Sequence, residues 1–136
     1  MEKRFNFLIV EDDIISTKLL NVFINKISNK IFYAKTGFEA IEICKENSDI
    51  DIILMDIKMP LIDGYKTTKQ IREFNKEVII IAQTSFATKD DKARAIEAGC
   101  NEHISKPYSY EEFLNLINRF ITIRGIDSYL PTTIIV

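Results

Sequence analysis

Four acidic residues, two hydroxyls and a lysine each sit immediately after an apolar run. Glu11, Asp12 and Asp13 follow "FNFLIV", Asp56 follows "DIILM", Thr84 and Ser85 follow "VIIIAQ", and Lys106 with Pro107 follows "HIS". A carboxylate that ends an apolar run loses solvation and is costly unless something requires it there. Carboxylates brought close repel one another, so either one takes a proton or a cation joins them. Oxygen donors of this kind suit a hard divalent ion. Mg2+ (or Mn2+) takes one or two carboxylates, keeps waters and accepts phosphate oxygens. Lys106 would neutralise an incoming phosphoryl group and the Thr84 hydroxyl would hydrogen-bond it. Asp56 is then the candidate nucleophile, since carboxylates form aspartyl-phosphates in enzymes. Taken singly, each residue has a plainer explanation: Asp12 or Asp13 caps a helix, and Lys-Pro is a loop. The set gains meaning only if one edge of one sheet carries all of it.

Alternation along the chain supplies that edge. Strand-like runs at Phe5 to Val10, Ile31 to Ala34, Asp51 to Met55, Val78 to Gln83 and His103 to Ser105 alternate with helical segments. Ile14 to Ser28 reads as a helix with Ile15, Leu19, Phe23 and Ile27 on one stripe. Thr36 with Glu39, and Ser109 with Glu112, read as capping boxes that open helices to Glu46 and to about Ile121. Gly64 to Phe74 is helical, with Tyr65, Thr68, Ile71 and Phe74 at helical spacing. Thr88 to Ala98 is a helix stopped by Gly99, with a thin stripe of Ala93, Ile96 and Ala98. Near-continuous apolar strands joined by helices predict an α/β, doubly wound, five-stranded parallel sheet of order 2-1-3-4-5, the flavodoxin-like arrangement. Strands 1 and 3 then flank the switch point, where ligands bind, and every strand ends on the same edge.

The bulk composition agrees. The 136 residues suit one domain, with residues 124–136 as a tail or the start of a linker. A formal net charge of −2 argues against a nucleic-acid or membrane-surface binder. No apolar run has the length of a membrane span, and acids interrupt the N-terminal "MEKRFNFLIVEDD", so a cytoplasmic location is expected. Cys44 and Cys100 belong to no CxxC or Cys/His cluster and are expected to be reduced.

The motifs "LIVEDD", "LMDIKMPLIDG", "IIAQTS" and "ISKP", in this order and spacing, resemble the receiver domain of two-component response regulators over roughly residues 5 to 121. The resemblance implies that Asp56 accepts the phosphoryl group. It implies that Asp12 binds Mg2+ directly with Glu11 as its acidic partner, often through water, and that the Lys58 backbone carbonyl is a further ligand. It makes Thr84 the switch hydroxyl, Lys106 the phosphoryl-contacting lysine, and the bond before Pro107 cis. The implied phosphodonor is a histidine kinase or a histidine phosphotransfer domain docking near the first helix. The face of helix 4, strand 5 and helix 5 is implied as the output surface and as the route to a homodimer. "AQTSFA" and "AGCNEHISKP" resemble receivers of hybrid histidine kinases, in which case the parent chain would be tethered to a membrane-bound kinase. The chain would catalyse its own phosphorylation and dephosphorylation as a signalling module.

Departures from the pattern carry expectations of their own. The aromatic switch position is His103, a polar and titratable ring, which predicts weaker or pH-dependent coupling to Thr84 or else a plain strand-edge histidine. Lys58 and Phe86 stand two residues beyond Asp56 and Thr84, where related receivers tune self-dephosphorylation. Neither orients an attacking water well, which predicts a long-lived phosphoryl group. Three other readings stand beside the receiver. A metal-dependent phosphohydrolase of the haloacid-dehalogenase type would want a second Asp at position 58. A nucleotide or flavin binder would want a Gly- or hydroxyl-rich loop where "EDD" stands. A degenerate receiver would lack part of the set Asp12, Asp56, Thr84 and Lys106.

Overall fold

Five strands and five helices alternate: β1 (Phe5–Val10), α1 (Ile14–Ile24), β2 (Ser28–Ala34), α2 (Gly37–Glu46), β3 (Ile52–Asp56), α3 (Gly64–Arg72), β4 (Ile79–Ser85), α4 (Lys89–Ala98), β5 (Glu102–Lys106) and α5 (Tyr110–Ile123). The computed structural model describes residues 4–85 and 88–123. All strands are parallel in the order β2-β1-β3-β4-β5, as the alternation of elements predicts.

Successive strand residues face opposite layers. Leu8, Val10, Ile53, Met55, Ile80 and Ala82 pack toward α2, α3 and α4. Phe7, Ile9, Ile52, Leu54, Ile79 and Ile81 pack with Leu20 and Ile24 of α1 and Phe113 and Ile117 of α5. Every residue of β3 is buried, which fixes its register and so the position of its last residue, Asp56. Gly64 opens α3 directly against that end: an added Cβ would lie 2.5 Å from the Asp56 carbonyl oxygen.

Helix starts are set by side-chain caps, at Asp13, Thr36, Asp63 and Thr88. At α4 the capping is reciprocal between Thr88 and Asp91, and Gly99 ends the helix at φ 116°. The Thr36 hydroxyl accepts from Glu39 N, but the Glu39 carboxylate reaches back to Lys35 N instead of closing a box. At α5, Glu112 N donates to the Ser109 hydroxyl at 3.0 Å.

Three expected stripes hold only in part. Of the α1 stripe, Phe23 and Ile27 pack inward as expected, beside Leu20 and Ile24, but Ile15 is 73% and Leu19 49% exposed. Apolar residues occupy several sides of this helix, so periodicity alone cannot set its phase; packing against β1 and α5 sets it. The helix also ends at Ile24, because Ser28 already pairs with Phe5 in β2. In α4 the buried residues are Ala95 and Ala98, and both Ala93 and Ile96 face outward. Two methyl groups are a slight anchor; the Arg94 guanidinium adds a contact 4.4 Å over the Tyr65 ring of α3. In α3, Tyr65, Thr68 and Ile71 are buried as expected, but the helix stops at Arg72, so Phe74 lies beyond it and is 43% exposed. Cys44 and Cys100 are buried free thiols. Among the described residues no helix is long and apolar enough to cross a membrane.

Candidate functional site

The C-terminal ends of β1, β3, β4 and β5 bring the acids, the hydroxyl and the lysine to one edge. Carboxylate oxygens of Glu11, Asp12 and Asp56 lie within 4.8 Å of one another. Glu11 and Asp56 are buried, at 5% and 7% exposure, whereas Asp12 is open to solvent. Lys106 Nζ stands 3.5 Å from Glu11 Oε2. The Thr84 hydroxyl is buried and makes no hydrogen bond.

The local chain explains these placements. Glu11 N donates to the Ala34 carbonyl, extending the sheet by one residue past β1. Asp13 turns the chain into α1: its carboxylate accepts from Ser16 N at 2.9 Å and from the Ser16 hydroxyl at 2.8 Å. Those bonds hold the Asp13 carboxyl below the usual range. Asp13 is therefore the cap, which leaves Asp12 free for the cluster. On β3, the Lys58 amide N–H donates to Asp56 Oδ1 at 3.2 Å and so folds the following loop over the carboxylate, with the Lys58 side chain exposed. Ile57 N donates to the Gln83 carbonyl, tying that loop to β4. The Lys106–Pro107 bond is cis.

The Glu11 carboxyl is strongly perturbed. Burial, then hydrogen bonding with and repulsion by Asp56, push it from 4.5 up to about 7, against the pull of Lys106. Its Oε2 is buried without a hydrogen-bond partner. Crowded carboxylates with a buried oxygen that has an ion pair but no hydrogen bond are the donor set expected of a hard cation site, and Mg2+ fits it.

His103 lies beside Ala82 in the sheet, two residues before the Thr84 neighbour Ser105, so it shares the α2–α3–α4 face with Thr84. The residue is half-buried, and its Nε2 is buried without a partner. Phe86 lies outside the described residues, as do residues 124–136.

Three features were not anticipated from the sequence. Gln83 is fully buried within the run "IIIAQ" and pairs with the Tyr108 hydroxyl, two residues after Lys106. A polar residue inside an apolar run was the available signal for it. Leu61, in the loop after Asp56, has φ 72° and is 83% exposed. Finally, Ile14, Ile15, Leu19 and Val22 form an exposed apolar face on α1, at the margin of the acid cluster.

Comparison with known proteins places this geometry. The family model described as "Response regulator receiver domain" matches residues 7–118. Hybrid signal transduction histidine kinase M of Dictyostelium discoideum is 37% identical over 120 residues, which is 84% of this chain but 5% of that kinase. The chain thus spans a small part of that relative. The receiver domain of the Saccharomyces cerevisiae response regulator Ssk1, solved with the histidine phosphotransfer protein Ypd1, superposes with TM-score 0.83 and 30% identity, over 95% of this chain and 97% of that one. The receiver of the Pseudomonas aeruginosa sensor histidine kinase PA1611, solved with a magnesium ion in its active-site cleft, superposes with TM-score 0.79 and 27% identity, over 88% and 98%.

Proposed function

The chain belongs to the response regulator receiver family, and from that premise we propose that Asp56 accepts a phosphoryl group from a phosphohistidine donor in a Mg2+-dependent reaction. The observation that carries the proposal is the meeting of the Asp56, Glu11 and Asp12 carboxylates within 4.8 Å, beside Lys106 and the unpartnered Thr84 hydroxyl. Asp12, Asp56 and the Lys58 carbonyl would hold the ion, with Glu11 acting through water. When bound, it offsets the negative charge of the carboxylates and of the phosphoryl oxygens.

The chain's own residues do the rest. An Asp56 carboxylate oxygen forms a bond to phosphorus as the donor's phosphorus–nitrogen bond breaks, and the electron pair leaves with the donor's imidazole. The Lys58 N–H orients the nucleophile through Asp56 Oδ1. Lys106 neutralises charge on the transferred group. Thr84 gains a hydrogen bond it lacks, and moving toward it changes the packing against His103 and α4. With only Ala95 and Ala98 buried on α4, that helix is a low-stability element suited to switching. Lys58 and Phe86 would leave the phosphoryl group long-lived.

The donor would be a histidine kinase or phosphotransfer domain, as in the Ssk1 receiver's complex with Ypd1. Exposed Ile14, Ile15, Leu19 and Val22 on α1 give it an apolar landing surface beside Asp56. The likeness to a hybrid kinase supports a hybrid origin; residues 1–123 would then form the receiver unit and 124–136 a tail or linker, in the cytoplasm. A homodimer would use the α4–β5–α5 face, where Glu102 bridges Lys92 at 3.5 Å and Arg119 at 3.0 Å.

The test is incubation with acetyl phosphate and Mg2+ followed by intact mass. The expected result is a gain of one phosphoryl group, absent in Asp56→Asn and abolished by chelation. No gain, with a known receiver labelled in parallel, overturns the reading.

A further inference from the structure

Gln83 is a fully buried carboxamide at the end of β4, and hydrocarbon would fill the place more cheaply. Leu20 lines a cavity with it, in the layer that holds Ile81 and Phe113. Burying an amide costs about 1–3 kcal/mol unless it is hydrogen-bonded, and this one is half satisfied. The Tyr108 hydroxyl donates to its Oε1, while Nε2 has no partner. Turning the amide over would only exchange which end is left unpaired.

The Tyr108 end of this contact is clamped. Its ring stacks on Phe113, with centroids 5.9 Å apart and planes 16° from parallel, and meets Phe23 edge-on at 6.2 Å. Burial, with a smaller contribution from the Glu11 charge, holds its hydroxyl well above the usual tyrosine range, so it stays a donor. The Gln83 end is clamped as well: its carbonyl takes the N–H of Ile57, next to Asp56, and it immediately precedes Thr84. Tyr108 follows Lys106 by two residues, and Gln83, Lys106 and Tyr108 line one cavity of about 200 Å3. A single side-chain hydrogen bond therefore fastens the loop that carries Lys106 to the strand between Asp56 and Thr84.

We propose that Gln83 and Tyr108 are positioning residues for phosphoryl transfer, whose hydrogen bond sets where the Lys106 ammonium stands relative to Asp56. This rests on the phosphoryl-accepting role of Asp56 argued above. Lys106 has a long, flexible stem and partial exposure, so its ammonium is only as well placed as the backbone beneath it. Loosening that backbone by an ångström misplaces the charge that the transferred oxygens need.

The experiment measures the rate of phosphorylation by acetyl phosphate with saturating Mg2+. It compares the wild-type chain, Tyr108→Phe, Gln83→Leu, both together, and each in a Lys106→Ala background. Tyr108→Phe and Gln83→Leu are each expected to lower the rate constant about tenfold with Mg2+ affinity unchanged. The pair should be no slower than either alone, and neither should slow Lys106→Ala further. Effects that multiply, or that persist without Lys106, overturn the proposal. A second readout needs no phosphorylation: the 13Cε resonance of Lys106 should move in Tyr108→Phe and stay in place in Leu116→Ala, a core change elsewhere. A Lys106 resonance unmoved by Tyr108→Phe counts against the inference, and a wild-type chain that takes no phosphoryl group overturns the reading it rests on.

Discussion

Glu11 Oε2 stands 3.5 Å from the Lys106 ammonium, yet the Glu11 carboxyl is driven up to about 7 instead of down. Burial is the first cause and the neighbouring Asp56 carboxylate the second, and together they outweigh the lysine. The pair is thus no self-sufficient salt bridge. It is part of a site with more negative charge than its own cation can neutralise.

A pH dependence follows for the metal-free protein. Glu11 keeps its proton in the folded chain to about pH 7 but loses it near 4.5 when unfolded. Between those values the folded state binds more protons, so stability is fully present below about pH 4.5 and is lost as pH rises through about 7. The loss is on the order of 3 kcal/mol at most. Urea midpoints measured without metal from pH 4.5 to 8 should fall, and Glu11→Gln should flatten the curve. A wild-type midpoint that rises across this window would show that Glu11 is not held protonated.

Added Mg2+ should reverse that slope. A cation favours the ionised carboxylates, so its binding releases protons and strengthens as pH rises toward 7. Titrations in two buffers of different ionisation enthalpy should report net proton release at pH 6. Equal heats in both buffers would exclude linkage to Glu11.

Gly64 should be intolerant of even one methyl group. A Cβ there would lie 2.5 Å from the Asp56 carbonyl and 2.8 Å from Ile57 Cα, and backbone has little room to yield. Gly64→Ala is expected to cost about 1–3 kcal/mol, as overpacking does. It should also weaken Mg2+ binding, since the displaced strand end carries the ligands. Unchanged Mg2+ affinity in a destabilised Gly64→Ala protein would separate the glycine from the site.

The element order, the sheet order and the edge were legible because each strand is a single apolar run and each run ends in a polar residue. Asp56, Glu11, Thr84 and Lys106 could be grouped from the sequence because parallel topology sends all strand ends the same way. What was not legible depended on phase and depth. In α1, Ile14, Ile15, Leu19, Leu20 and Ile24 are alike to periodicity, and packing against β1 and α5 decides that Leu20 and Ile24 turn inward. Strand β2 begins at Ser28 and not Ile31 because pairing with β1 overrides the low strand preference of "SNK". The Gln83–Tyr108 bond joins residues 25 apart in sequence, a contact no local pattern encodes.

Leu61 offers a separate test of strain beside the site. It is the centre of a three-residue turn in which Ile62 N donates to the Pro60 carbonyl, at φ 72°. This backbone region disfavours side chains by about 1–2 kcal/mol. Leu61→Gly should therefore raise stability by roughly 0.5–1 kcal/mol after the glycine's greater unfolded-state freedom is counted. Thermal melts of the two proteins decide it; a lower melting temperature for Leu61→Gly would mean that Leu61 makes contacts that outweigh its strain.

The exposed face of α1 should matter only when the donor is a protein. Ile14, Ile15 and Val22 are 68%, 73% and 70% exposed, an arrangement that water disfavours and that folding does not use. None of the three belongs to the acid cluster, so acetyl phosphate, which needs no docking surface, should label Ile15→Asp as fast as wild type. Covering one isoleucine on docking is worth roughly 1.5–3 kcal/mol, and each 1.4 kcal/mol is about tenfold in affinity. Transfer from a phosphohistidine donor protein should accordingly lose about tenfold to a hundredfold in kcat/KM, mostly through KM. Equal loss with both donors would place Ile15 in the chemistry, and loss with neither would move the docking surface away from α1.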